Sequence, residues 1–199
     1  MSKIIGITGP SGAGKSLLCK YMSDADIPCI DADEVYHSML CPNSETLKAI
    51  AAAFGKGVIS ADGSLDRAAL SSLVFNDEKK LALLNSTVLP LVIAEIENII
   101  SDLSDKGHRA VVVDAPTLIE SGFYKKCDLV VAVIAPISSR ISRIESRDHI
   151  SSDRANQRAV AQNGDDFYTS VADLTIINDA DEEAFERASS ELIKRIQSL

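Results

Sequence analysis

The segment Gly9-Pro-Ser-Gly-Ala-Gly-Lys15-Ser16 restricts this chain more than any other stretch, because it satisfies G-x-x-x-x-G-K-[ST] between two runs of different periodicity. Lys3–Thr8 before it is a short apolar run of strand character, and residues 15–22 after it are amphipathic with helical spacing. Strand, glycine loop and helix in that order gather backbone N–H groups at the positive end of a helix, forming a nest for phosphate oxygens. Gly9, Ser11, Gly12, Ala13, Gly14, Lys15, Ser16 and Leu17 are therefore the expected ATP-binding set. In it the glycines permit the tight turn, Lys15 reaches the β- and γ-phosphates, and the Ser16 hydroxyl takes a place on Mg²⁺.

The remaining strands place that loop in a sheet. Residues 27–31, Ala110–Asp114 and Leu129–Ile134 are apolar, largely β-branched runs without polar alternation, the pattern of strands buried on both faces of a parallel sheet. Leu174–Ile177 offers a fifth strand, and residues 181–198 a closing helix with Phe185, Ala188, Leu192 and Ile196 along one side. Between Ala32 and Gly107 the patterns are helical only, with helices expected at 67–75, 77–84 and 90–103. A second helical pair at 138–147 and 151–162 precedes the last strand and is rich in arginine. The expected fold is thus α/β: a P-loop NTPase-type parallel sheet of about five strands flanked by helices, with a helical insertion and a small helical lid. The partition is 1–31, 108–137 and 170–199 for the core, 32–107 for the insertion and 138–169 for the lid.

Ligands of parallel sheets bind outside the carboxyl ends of the strands, so acidic residues there acquire meaning. Asp114 ends four apolar residues and has the form of a Mg²⁺-holding carboxylate, or else caps the turn before Pro116. In Asp31-Ala-Asp33 a period of two sends both side chains the same way; Asp33 is then a base that orients the acceptor hydroxyl, or only a helix N-cap. Arg140, Arg143 and Arg147, spaced by three and four, share one helical face, and Arg158 adds to it from the next helix. Such a ridge either neutralises charge on a transferring phosphoryl group or is a solvated face paired with Glu145, Asp148 and Asp153.

A formal net charge of −9 disfavours broad attraction to nucleic acid or anionic lipid and leaves a focused phosphate site as the compatible anion binder. Cys19, Cys29, Cys41 and Cys127 lack zinc or CxxC spacing and read as free thiols in a reducing compartment. His37, His108 and His149 are isolated and read as non-catalytic. The apolar runs near 110–113 and 129–135 are far shorter than the ~20 residues of a bilayer span, so the expectation is a cytoplasmic monomer or weak homo-oligomer with no nucleic acid or membrane partner. From the loop alone, another nucleoside or nucleotide kinase and a nucleotide-dependent switch stay open.

Further segments resemble the dephospho-coenzyme A kinase family over essentially the whole chain. Ile30-Asp-Ala-Asp33 is similar to its I-D-A-D motif, Asp62-Gly-Ser-Leu-Asp-Arg67 to D-G-x-L-x-R, and Asp114-Ala-Pro-Thr-Leu-Ile-Glu120 to D-x-P-L-L-x-E. Leu84-Asn85 with Pro90 resembles L-N-x-x-x-H-P with Leu89 in place of the histidine; Pro10-Ser11 replaces a Gly-plus-apolar pair. Arg143, Arg147-Asp148, Arg158 and Gln162 fall on the lid motif, and Ala172-Asp173, Ile176 and Asn178 on the last strand. The resemblance implies ATP-dependent phosphorylation of the 3′-hydroxyl of dephospho-coenzyme A, the last step of coenzyme A biosynthesis. It gives Lys15, Asp33, Arg143 and Arg147 as catalytic, Arg140 as ATP-binding, and Asp33, Asp62, Arg67, Pro116 and Leu118 as substrate-binding. Ser16 and Asp114 remain the Mg²⁺ candidates, directly or through water. By the same resemblance, 32–107 is the domain for the coenzyme A moiety.

Overall fold

Five strands, β1 (Lys3–Thr8), β2 (Cys29–Asp31), β3 (Ala110–Asp114), β4 (Leu129–Ile134) and β5 (Leu174–Ile177), pair side by side in the order β2-β3-β1-β4-β5. All neighbours are parallel. This computed structural model describes every residue except Asn76, Ala180 and Leu199. The apolar runs behave as their composition dictates: all of β3 is buried, and β4 is buried from Leu129 to Val133. β2 is shorter than the run 27–31. Pro28 has no N–H to give a ladder, and its carbonyl accepts from Val112 N at 2.8 Å, so pairing proper begins at Cys29 on this edge strand.

The chain divides into two compact units, one made of Met1–Asp31 and Ile100–Leu199, the other of Ala32–Ile99. In the first, α1 (Lys15–Asp24) buries Leu18 and Met22, and α9 (Glu182–Gln197) buries Phe185, Leu192 and Ile196. These join Ile5, Ile7, Val112, Val131 and Val133 in one apolar cluster. The same unit holds α6 (Ile137–Asp148), α7 (Ser152–Val160) and the short α8 (Asp165–Thr169), which the sequence patterns had not separated. Helices α6 and α7 close over a cluster of their own, Ile144, Ala155 and Ala159 with Ile141 and Ile150 against them.

The second unit contains α2 (Ala32–Ser38), α3 (Glu45–Phe54), α4 (Arg67–Val74) and most of α5 (Glu78–Asp105). An antiparallel bridge between Ile59 and Leu65 interrupts the expected all-helical course. The expected helices 77–84 and 90–103 are one helix of 28 residues running through Pro90. An interior proline costs about 3 kcal/mol, but burying Val88, Val92, Ile96 and Ile100 at four-residue intervals outweighs it. The hydroxyls of Ser86 and Thr87 donate to the Leu83 carbonyl at 3.0 and 2.7 Å just ahead of the proline, back-bonding that accompanies such a break in the ladder. By length and composition alone helix α5 also meets the measure for a bilayer span, a test that a core helix passes as well. The split at Pro90 had hidden that length.

Close packing at the sheet centre explains Gly6. A Cβ built there would lie 2.7 Å from Cys127 Sγ and 2.9 Å from Leu118 Cδ2. Gly6→Val should therefore overpack the core and destabilise the protein by about 1–3 kcal/mol, read as a lower urea midpoint at unchanged slope. An unchanged midpoint would contradict the packing described.

Candidate active site

The parallel ladder brings acidic and glycine-rich segments to one end of the sheet. In register, Ile7 pairs with Asp114 and Asp114 with Asp31, so these two carboxylates stand level beside the exit of β1 into the loop at residues 9–14. Asp114 is 8 % exposed, and Cys19 Sγ donates to its Oδ2 at 3.7 Å. The Cys29 side chain, then burial and Asp114 push the Cys19 thiol far up, so it stays protonated as that donor. All four cysteines are free.

The loop has the predicted form. Gly12 and Gly14 take φ of 78° and 112°, where side chains are strained, and space excludes them as well. A Cβ on Gly12 would lie 2.7 Å from the Arg140 carbonyl, and one on Gly14 would overlap Asn178 Nδ2. Gly14 is the N-cap of α1 and offers no side-chain cap, and its carbonyl accepts from the amides of Leu17 and Leu18 at 3.1 Å each. Lys15 Nζ donates to the Gly9 carbonyl at 2.9 Å, which folds the ammonium across the loop mouth. Ser16 follows in the first turn of α1 and is exposed; Leu17 is half-buried.

Two arginines of α6 hold this loop by its carbonyls, and a third reaches a side chain in it. Arg140 Nε donates to Ser11 O at 3.1 Å, and Arg143 Nη1 donates to Gly12 O at 3.1 Å and Ala13 O at 3.4 Å. Arg147 Nη2 donates to Ser11 Oγ at 3.3 Å. Arg140 is 5 % exposed, its remaining donors reach Ala159 O and Gln162 Oε1, and burial lowers its pKa. It acts here as a strut of the loop, turned inward to the Ser11 carbonyl. Arg143 and Arg147 lie nearer solvent. Asp148 accepts from Arg147 Nε at 2.7 Å and Arg158 Nη1 at 2.6 Å, so the arginine ridge is a paired network rather than a bare cationic face. The Arg147 hydrogen bond raises that guanidinium's pKa, and Arg147 followed by Arg158 holds the Asp148 carboxyl below the ordinary range.

Asn178, directly after β5, closes the constellation. It is 5 % exposed; its Nδ2 donates to Ala13 O at 2.9 Å and its Oδ1 accepts from Arg143 Nη2 at 2.8 Å. Gly14, Leu17, Arg143, Asn178, Glu182 and Phe185 line a cavity of about 330 Å³ beside α1. Glu182 and Phe185 were expected only as parts of the closing helix. Their place within one turn of the carboxyl end of β5 was the available signal.

Other expected site residues divide. Asp33 lies in the first turn of α2, because the chain turns helical at Ala32. The extended pairing with Asp31 therefore lapses, and the N-cap alternative does too, since Asp33 follows the cap position. Asp62 accepts from Ser64 N at 3.0 Å and Ser64 Oγ at 2.7 Å, and those bonds lower its pKa; Arg67 opens α4, exposed. Pro116 is exposed after β3, whereas Leu118 is 0 % exposed and packs under Gly6. The expectation that Leu118 touches substrate is corrected: its burial makes it a core residue.

The family model described as Dephospho-CoA kinase matches residues 3–183. The chain belongs to the dephospho-CoA kinase family. A dephospho-CoA kinase of Corynebacterium glutamicum is 33% identical over 194 residues, covering 98% of this chain and 97% of that one. Of solved structures, TT1252 from Thermus thermophilus superposes with a TM-score of 0.80 at 27% identity, covering 98% of this chain and 97% of that chain. The dephospho-CoA kinase from Campylobacter jejuni does so with a TM-score of 0.72 at 26% identity, covering 98% of each. Membership in the dephospho-CoA kinase family makes the chain an ATP-dependent phosphotransferase with dephospho-CoA as acceptor, and excludes the switch reading.

The arginine network gives a pH prediction. Asp148 has a folded pKa below its ordinary 3.8, so its pairing contributes above that value and is lost as pH falls through the lowered one. The Asp148 carboxyl ¹³C resonance should titrate below 3.8, and Arg147→Ala with Arg158→Ala should move it back up. An ordinary midpoint in the parent protein would contradict the network.

Proposed function

We propose that the chain transfers the γ-phosphoryl group of ATP to the ribose 3′-hydroxyl of dephospho-CoA at the loop formed by residues 9–16. The observation that carries this reading is the intact Gly-rich loop with Lys15 at the carboxyl end of β1, in a chain matched to the family over residues 3–183. Lys15 and the α1 amides bind the β- and γ-phosphates, and Arg143 and Arg147 neutralise charge that develops on the transferring group. The cavity beside Gly14 and Phe185 takes the nucleoside end of ATP.

Ser16 and Asp114 supply oxygen donors for Mg²⁺, directly or through water. Two oxygen donors fit an ion that shares itself between one or two protein oxygens and substrate phosphates, and among the described residues no group of three His, Cys, Asp or Glu side chains is arranged to hold a metal by itself. Bound there, Mg²⁺ neutralises phosphate charge. Asp33 accepts the acceptor hydroxyl proton, a task that asks mainly for position because the transition state is loose. The Ala32–Ile99 unit, with Asp62 and Arg67, is assigned to the extended acceptor, whose remote binding energy orients the hydroxyl, and Pro116 is assigned to the acceptor as well. Helices α6 and α7, with their own apolar cluster, are the lid. The setting we assign is a cytoplasmic monomer or weak homo-oligomer.

Incubation with ATP, Mg²⁺ and separate acceptors tests the reading. Rapid transfer to dephospho-CoA, weak transfer to adenosine or AMP and a new ³¹P resonance at the 3′ position are expected; equal use of a nucleoside monophosphate would overturn it. Asp33→Asn should lower turnover while the melting temperature is kept. Full activity in that variant would remove Asp33 from the chemistry.

A further inference from the structure

Gln162 lies beyond α7, in no helix or strand, yet it touches the phosphate loop. Its Oε1 accepts from Ser11 N at 2.9 Å across 151 residues of sequence, and from Arg140 Nη2 at 2.9 Å. Arg140 Nε in turn donates to Ser11 O at 3.1 Å, which closes a ring through both polar groups of one residue. Ser11 belongs to no helix or strand, so no ladder would otherwise fix its amide or carbonyl. On one side, Pro10 offers no N–H, and its carbonyl is used by Ala13 N at 3.2 Å. On the other, Gly12 at φ 78° has the widest conformational choice of any residue type.

The geometry points to Gln162 as a positioning residue for the reaction: a single side-chain oxygen that sets the peptide at Ser11, and through it the loop that receives the phosphates of ATP. This rests on the phosphate-loop reading above. Because Arg140 and Gln162 come from α6 and from the segment after α7, the ring also couples the helical pair to the loop. Ser11 adds a second tie through its hydroxyl, which accepts from Arg147 Nη2 at 3.3 Å. A carbonyl oxygen accepts two hydrogen bonds at once, so Gln162 can serve both donors. Replacing it by methionine keeps length and flexibility and removes the amide, acceptor and donors together, whereas glutamate keeps the oxygen and loses only the donors. The Ser11 amide and the buried Arg140 then lose their shared partner.

Steady-state kinetics of Gln162→Met, Gln162→Glu and Lys15→Ala, each with its melting temperature, form the test. The inference expects Gln162→Met to raise KM for ATP about tenfold, equivalent to about 1.4 kcal/mol, with KM for dephospho-CoA unchanged. Gln162→Glu, which keeps the acceptor beside Arg140, should recover most of that loss. An unchanged KM for ATP in Gln162→Met, with kcat reduced only as the folded fraction falls, would show a merely structural tie and overturn the inference. So would equal impairment of the Met and Glu variants. Near-normal turnover in Lys15→Ala would instead sink the phosphate-loop reading, so the two failures are distinguishable.

Discussion

The backbone of residues 11–13 is held by side chains that lie from 129 to 165 residues further along the chain, and the site depends on that grip. A glycine loop has great conformational freedom, which is useful for binding phosphate and costly to order. Arg140, Arg143 and Asn178 reduce that freedom from outside by occupying the outward carbonyls of Ser11, Gly12 and Ala13. The amides of Ser11 and Ala13 are held too, by Gln162 Oε1 and the Pro10 carbonyl, so the loop is fixed through both kinds of backbone group. Close packing enforces the same arrangement, since Gly12 and Gly14 meet Arg140 and Asn178 at distances no side chain could occupy.

Charge follows the same economy of placement. The molecule carries a formal net charge of −9, and a nucleotide triphosphate would find most of its surface repulsive. Arg140, Arg143, Arg147 and Arg158 of α6 and α7 are bound to the loop or to Asp148. Asp148 keeps two guanidiniums close together without the mutual repulsion they would otherwise feel.

The sheet and the loop were legible because their signals are local. Val111, Val112 and Val113 have no polar alternation and are buried on both faces, and the motif from Gly9 to Ser16 sits between a strand and a helix where chemistry requires it. The position of Asp114 at the end of β3 was legible from the apolar run before it. What escaped depends on tertiary packing. Pro90 reads as a helix break, yet α5 passes through it because the apolar stripe on either side is buried as one. Leu118 falls in a motif of substrate-binding character, but its place under Gly6 is set by a glycine 112 positions away in sequence, which no pattern around residue 118 records. The role of Arg140 was partly legible: its face was right, and only the fold reveals that it turns inward to the loop. The early helical turn at Ala32 removed the basis for pairing Asp33 with Asp31 along a strand.

The central claim is that the amides around residues 12–17 receive the phosphates of ATP while the arginines hold the loop from behind. Titration of ¹⁵N-labelled protein with a non-hydrolysable ATP analogue and Mg²⁺, followed by amide chemical shifts, addresses it directly. The account predicts the largest shifts at Gly12, Gly14, Lys15, Ser16 and Leu17, with smaller ones at Arg143, Asn178 and Glu182. Binding that left the amides of residues 12–17 unmoved while shifting another part of the molecule would contradict it.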